Sequence, residues 1–184
     1  MNLLKAYDIH FSGLKIGNHV YEYEIDGKFF ENYEYEDFND VHARVSLNFH
    51  KNSNHFELDF NVQGIANVNC DLTNEPYDQA FKGSFRLVVN FGEAFDDAHD
   101  EILIIPHGES TINVAQYIYE LIVLSVPMKR THPGIEDRSL PEEILQKLDS
   151  LNTIQPKTNE KENDPRWDNL KILLTHNKKN DGTS

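Results

Sequence analysis

The fold is decided between residues 41 and 62, which read VHARVSLNFH (41–50), KNSN (51–54) and HFELDFNV (55–62). Apolar side chains occupy every second position on both sides of the polar spacer 51–54. A period of two is typical of antiparallel strands that bury one face and expose the other. The spacer is short, so the two runs are predicted to pair as a hairpin with His50 opposite His55.

The same alternation extends to other parts of the chain. It is clear in YEYEID (21–26), and weaker strands are predicted near Leu3–Ile9, Ile65–Leu72, Phe81–Phe91 and Glu101–Ile105. The pairs Asp26-Gly27 and Lys82-Gly83 are predicted to mark turns or a bulge. So many short alternating strands predict a core that is an antiparallel sheet or a partly closed barrel.

The period changes after this region. Between residues 112 and 126 a narrow polar stripe, with spacings of three and four, is formed by Asn113, Gln116 and Glu120. This pattern predicts a helix that is largely buried against the sheet. Ser110 or Thr111 is predicted to cap its start, and Pro127 to end it.

The C-terminal third predicts more helix. Ser139 and Glu142 have capping-box spacing, which indicates a helix beginning at Ser139. Residues 152–163 are polar and predict a linker. A third helix is predicted over 164–174, where Asp164 would be the cap and Pro165 the first helical residue.

These patterns predict an α+β protein with an antiparallel β-sheet or partly closed barrel core, a buried helix and a helical C-terminal arm. Residues 1–127 would form the acidic β-rich core with its closing helix. Residues 128–176 would form the arm, and 177–184 a disordered tail.

Charge is distributed very unevenly. Residues 1–126 carry 7 Lys and Arg against 21 Asp and Glu, whereas residues 127–184 carry 10 of each sign, so the whole net charge of −14 lies in the first part. Such a surface repels phosphates, which disfavours binding of DNA or generic RNA, and it attracts basic proteins. The acidic stretch at 93–101 is a candidate partner-binding loop, with Asp96, Asp97, Asp100 and Glu101. The alternative is that the acidic charge serves solubility alone.

Other sequence features indicate the cellular compartment of the protein. No basic leader precedes an apolar block at the start, and the apolar stretch 117–126 is too short to cross a bilayer. Cys70 is the only cysteine, so no intramolecular disulfide can form, and a lone thiol suits a reducing compartment. We therefore expect a cytoplasmic protein with no membrane partner.

Two groups of residues could carry chemistry, and each has a simpler interpretation. His42, His50, His55, Glu57 and Asp59 share the polar face of the hairpin and could bind a transition metal, but a solvated face with an Arg44–Asp59 ion pair is the favoured interpretation. His107-Gly108-Glu109-Ser110 is better explained by a turn and a helix cap than by a nucleophilic site. No phosphate loop, dinucleotide fingerprint or H-E-x-x-H motif is present. No catalytic residue, cofactor or metal site is predicted.

Four features in order resemble a known family: the corner Cys70-Asp71-Leu72-Thr73 with Pro76, the strand 85–91, the helix 118–127, and Asp164-Pro165-Arg166-Trp167. Their order and spacing resemble the YceD-like family, the large-subunit ribosomal RNA accumulation proteins of bacteria and plastids. Many members of that family have C-x-x-C at this corner and further cysteines after the proline that ends the helix. Here Thr73 replaces one cysteine and the stretch 128–138 has none, so no metal role is carried over.

The resemblance implies a non-catalytic part in large-subunit ribosomal RNA accumulation and ribosome assembly. The charge pattern favours a basic ribosomal protein, an assembly factor or a large-subunit precursor as the partner. The charge-balanced arm could still contact RNA, with Asp164, Pro165, Arg166 and Trp167 as candidate contacts. Trp167 could instead pack its helix on the core. The alternative functions are a small-ligand-binding β barrel and, third, an enzyme built on the histidines.

Overall fold

A sheet built outward from the 41–62 hairpin forms the centre of the fold. The computed structural model describes residues 3–152. By internal contacts the chain divides into two units, residues 1–144 and 145–184. The strands are β1 (Asp8–His10), β2 (Gly17–Ile25), β3 (Asp40–Lys51), β4 (His55–Asn69), β5 (Pro76–Gly92), β6 (Asp96–His99), β7 (Ile102–Pro106) and β8 (Thr111–Asn113), and the helices are α1 (Gly27–Glu31), α2 (Ala115–Ser125) and α3 (Glu142–Asn152), with short 3-10 turns at Leu3–Tyr7, Phe11–Gly13 and Pro133–Ile135.

Within residues 3–152 the main sheet has six strands in the order β2-β3-β4-β5-β7-β6. All neighbours are antiparallel except β5 and β7, which run parallel with Val88 opposite Ile102. Since β2 and β6 lie at opposite edges, the sheet in this part of the chain is open, and of the two predicted cores, a sheet or a partly closed barrel, the sheet is the one that forms. A small second sheet pairs β1 with β8. The α+β prediction with a mainly antiparallel sheet is confirmed.

The alternation predicted from sequence decides which side chains enter the core. Phe49, Phe56 and Phe60 are each at most 2% exposed, and they all project from the inner face of β3 and β4. Ile118 and Ile122 of α2 are fully buried against the same face, as the helical pattern predicted. The outer face of the sheet carries the polar partners of each alternating pair.

The predicted hairpin forms, but its register was wrong by two residues. The turn closes with the Asn52 amide donating to the His55 carbonyl oxygen at 3.0 Å, so only two residues form the loop. His50 therefore lies opposite Glu57, not His55, and Asn48 lies opposite Asp59. A shift by an even number leaves every side chain on its predicted face.

The two turn signals in the middle of the sequence have different outcomes. Strand β2 ends at Ile25, and the carboxylate of the next residue, Asp26, accepts from the Lys28 amide at 3.1 Å and caps the short helix α1. At Lys82-Gly83 the predicted turn or bulge was wrong, because β5 continues without a register shift through Gly83 opposite Val62. A Cβ at position 83 would collide with the Ser125 side chain, so glycine serves here for close helix packing.

Both predicted helix starts were too early. Thr111–Asn113 is a strand because its backbone pairs with β1, so neither Ser110 nor Thr111 caps α2. The Asn113 side chain accepts from the Ala115 amide at 3.0 Å instead. Helix α3 begins at Glu142, three residues after the predicted start, and the Ser139 amide donates to the Asp137 carboxylate at 3.0 Å.

In the described residues no helix combines the length and apolarity needed to cross a membrane. The predicted linker 152–163 begins at the last residue of α3, and its remaining residues, 153–163, lie outside the described residues, as do the predicted third helix 164–174 and tail 177–184.

Candidate partner-binding surfaces

The acidic stretch predicted to be a loop is partly an edge strand. Asp96 and Asp97 belong to β6, and Asp100 and Glu101 follow it in the turn to β7. The side chains of all four residues are exposed. Asp96 accepts from the Ala98 amide at 2.9 Å, and the Glu101 carbonyl accepts from Val88 at 2.8 Å. The structure thus places the four carboxylates together at one edge of the sheet, where negative charge also discourages strand addition.

An apolar groove adjoins this edge, between β5 and α2. Its lining includes Phe85, Tyr117 and Leu124, and Leu124 is 83% exposed. Asp100 and Glu120 line the same groove, whose volume is about 570 Å³. Burial, together with the smaller effect of the nearby negative charges of Asp97 and Glu120, raises the pKa of Tyr117 to about 12. Apolar and acidic groups are therefore combined here, next to residues predicted to bind a partner.

A second groove was missed by sequence reasoning. This groove, the aromatic groove, lies beside α1 and the loop to β3 and has a volume of about 500 Å³. Its lining includes aromatic and acidic residues: Phe30, Glu31, Glu34, Tyr35, Glu36, Phe38 and Asp40. The signal was present in the sequence as NYEYEDF (32–38), where aromatic and acidic residues alternate. That run carried no strand prediction of its own, because its aromatic positions do not continue with a period of two.

The hairpin histidines, for which a metal site was the less favoured interpretation, each make an ordinary polar contact with a different residue. His42 Nε2 lies 3.2 Å from Asp40, and His55 Nε2 lies 3.2 Å from Glu57, whereas His50 is bonded to Asn18. No group of three or more His, Cys, Asp or Glu is placed to hold a metal ion within residues 3–152.

The ion pairs of this outer face differ from the predicted one. Arg44 was predicted to pair with Asp59, but it pairs with Glu24 at 3.3 Å. Asp59 is instead held by Arg86 from β5, at 2.6 and 3.1 Å from two guanidinium nitrogens. The reason is register, since Asp59 lies directly opposite Arg86 and Arg44 directly opposite Gln63.

The segment His107–Ser110 forms a turn, with the Glu109 amide donating to the Pro106 carbonyl at 3.0 Å. Ser110 caps no helix, and its carbonyl accepts from the Phe11 amide at 3.1 Å. The turn prediction is confirmed and the cap prediction was wrong.

The corner at Cys70 joins two distant segments. Cys70 is 3% exposed, and its sulfur accepts from the His132 amide at 3.3 Å. Asp71 and Arg130 exchange two hydrogen bonds of 2.8 Å. Burial raises the pKa of the Cys70 thiol, but hydrogen bonds from the Thr73 hydroxyl and from backbone N–H groups outweigh it, so the pKa lies below its usual value. The corner and the segment after α2 therefore meet without further cysteines.

The Cys70 corner, β5 and α2 contain the described residues on which the family resemblance is based. Residues 58–174, well over half of the chain, match the model of the large ribosomal RNA subunit accumulation protein YceD. The chain belongs to the YceD family. The matched range includes Cys70, the strand β5, the helix α2 and the Asp164–Trp167 motif. No curated protein and no solved structure matches the chain.

The YceD description refers to accumulation of large-subunit ribosomal RNA and names no chemical reaction. A role of this kind is therefore the function that the family assigns. Of the residues predicted to contact a partner, the structure brings together Asp96, Asp97, Asp100 and Glu101. Asp164, Pro165, Arg166 and Trp167 lie outside the described residues.

Proposed function

We propose that this YceD protein is a non-catalytic accessory factor of large-subunit ribosome assembly that works by binding a basic ribosomal protein, an assembly factor or a pre-ribosomal particle in the cytoplasm. The single observation that carries the proposal is the family match over residues 58–174. The mode of action is inferred from charge, since the −14 net charge lies entirely in residues 1–126.

Electrostatics favours a basic partner over bare RNA. Binding to an RNA backbone depends on Lys and Arg side chains that neutralise phosphates and so release the counterions of the RNA. The first 126 residues contain only seven Lys and Arg. One of these, Lys51, has its ammonium donating to the carbonyls of Phe11 and Leu14 at 2.8 and 2.9 Å, so it holds the N-terminal segment in place. Arg44 and Arg86 are paired with carboxylates. Few cations therefore remain for an RNA backbone on this part of the chain.

The carboxylates at the β6 edge are proposed to contribute to partner capture. They are exposed and adjoin the apolar groove with Leu124, and an interface core with apolar anchors inside a charged rim is the usual anatomy of protein complexes. The C-terminal motif with Arg166 and Trp167 is proposed as a second contact, because Arg and Trp are favoured interface anchors.

The pathway is tested by deleting the gene. Loss of the protein is expected to lower mature large-subunit ribosomal RNA relative to small-subunit RNA, and gradient profiles are expected to show fewer complete large subunits. An unchanged ratio of the two RNAs in a clean deletion contradicts the proposed pathway.

The mode of action is tested with purified protein. We expect capture of a basic protein of the large-subunit pathway that weakens between 0.1 and 1 M salt, as the Debye length falls from about 10 Å to about 3 Å. Replacing Asp96, Asp97 and Asp100 with Lys is expected to reduce capture without unfolding the domain, since these side chains are exposed. Tight, salt-resistant binding of a small apolar ligand would instead favour the ligand-binding alternative.

A further inference from the structure

We propose that the aromatic groove binds an arginine side chain from an extended basic segment of the partner. This inference rests on the proposed function for the existence of a basic partner, and it assigns the recognition to a surface other than the β6 edge.

The wall of the groove is a preformed aromatic cluster. The rings of Phe30 and Phe38 lie 5.3 Å apart at 70°, and those of Tyr35 and Phe38 lie 4.9 Å apart at 65°. Phe30 is 3% exposed and is packed into the core from α1, so the cluster is anchored to the body of the domain. Edge-to-face pairs of this kind hold one another in place, which leaves little ordering cost when a ligand binds.

The rim of the groove is acidic. Glu31, Glu34, Glu36 and Asp40 line it, and the groove lining includes no Lys, Arg or His. Glu31, Glu34 and Glu36 have no hydrogen bond or ion pair to another side chain in the described part of the chain, so their charge is available to a ligand. Carboxylates around an aromatic wall attract cations and repel phosphates. An RNA backbone is therefore the wrong occupant.

The same cluster already holds one guanidinium from its own chain. The guanidinium carbon of Arg130 lies 6.0 Å from the centre of the Phe38 ring, and one of its nitrogens lies 3.7 Å from Asp37. The Tyr35 hydroxyl donates a hydrogen bond to the same Asp37 carboxylate at 3.4 Å. The aromatic and acidic groups of this loop are thus arranged to bind a planar cation, and arginine stacks on such rings better than lysine does.

The site can be mapped by NMR on the full 184-residue chain. The ¹⁵N-labelled protein is titrated with a 12-residue peptide that carries three arginines among Gly and Ser, and with the same peptide in which citrulline replaces arginine. Citrulline preserves the shape of the side chain and removes its charge. We expect shifts confined to residues 26–41 and 130, produced by the arginine peptide only. Shifts confined to the β6 edge or to the α2 groove, or no saturable shift, would overturn the inference.

A matched pair of variants tests the carboxylates. Glu34→Gln with Glu36→Gln removes two charges from the groove, and Glu22→Gln with Glu109→Gln removes two charges from exposed positions outside both the groove and the acidic stretch 93–101. The groove variant is expected to weaken peptide binding by about tenfold, and the control variant by less than about twofold. Equal weakening by both would show that only the net charge matters and would overturn the inference.

The two proposals fail separately. If deletion of the gene leaves the ribosomal RNA ratio unchanged, the proposed function is wrong whatever the titration shows. If deletion lowers that ratio and the groove variant binds the peptide as well as the parent does, the proposed function stands and the groove assignment alone is wrong.

Discussion

The contact between Gly83 and α2 predicts a specific cost for adding one methyl group. A Cβ at position 83 would lie 3.0 Å from Ser125 Cβ and 3.4 Å from Leu121 Cδ1, and still closer to Ser125 Oγ. Carbon atoms pack best at about 3.5–4.0 Å, so in Gly83→Ala the helix must move away from β5 by roughly half an ångström or more. Overpacking of this kind typically costs about 1–3 kcal/mol, and we expect the free energy of unfolding to fall by that amount.

The Ser125 side chain provides the rescue. In Gly83→Ala with Ser125→Gly, the colliding atoms are absent, so the double variant is expected to be more stable than the two single losses predict. Ser125 Oγ also donates to the Leu121 carbonyl, at 2.5 Å, so Ser125→Gly alone will carry a cost of its own. The expected coupling energy is on the order of 1 kcal/mol, as for residues in direct contact.

Urea unfolding followed by circular dichroism measures these free energies. Gly108→Ala is the matched control, because a Cβ at position 108 meets nothing within 4 Å. Its effect is expected to stay within about 0.5 kcal/mol. The reasoning is refuted if Gly83→Ala is as stable as the control, or if the effects of positions 83 and 125 are simply additive.

Two further predictions follow from titration and from the Cys70 corner. Burial first, and then nearby negative charges, raise the pKa of Tyr33 to about 12 from its ordinary value of 10.0. The folded state therefore favours the neutral phenol, and its free energy of unfolding is expected to decline as the pH rises from 10 to about 12. Urea unfolding of Tyr33→Phe is expected to show a shallower decline over this range than the parent does, and equal slopes would contradict the prediction. Cys70 is the only cysteine, and its sulfur accepts a hydrogen bond from the His132 amide. Purified protein is therefore expected to contain far less than one zinc per chain, and a chelator is expected to leave the Tm unchanged. Stoichiometric zinc that survives dialysis would contradict this and would point to His132 and the hairpin histidines.

Much of the core follows from local pattern. Alternation of apolar and polar residues in 41–49 and 56–62 predicts both the strands and the face that each side chain occupies, because successive side chains on a strand point to opposite sides. The apolar surface of 112–126 predicts a buried helix for the same kind of reason. The uneven charge is likewise a property of the sequence, and it does not depend on how the strands are arranged.

The glycines show where local rules stop. Gly83 follows a lysine in a pattern typical of a turn, but the chain continues straight because α2 packs against it. At Gly64 a Cβ would lie 2.5 Å from the His42 carbonyl oxygen on the adjacent strand. A glycine in the sequence indicates only that a side chain is disfavoured at that position. Whether the reason is a turn or a close neighbour depends on atoms that are distant in sequence.

Tertiary structure alone decided which elements are neighbours. The parallel pairing of β7 with β5, the contact of Cys70 with His132, and the placement of Arg130 over Phe38 all join residues separated by about ten or more positions. A period along one strand specifies its buried face but not the strand beside it, since many neighbours would bury that face equally well. The aromatic groove arises in the same way, because its ring cluster exists only when α1, the loop 32–39 and the segment at Arg130 pack against one another.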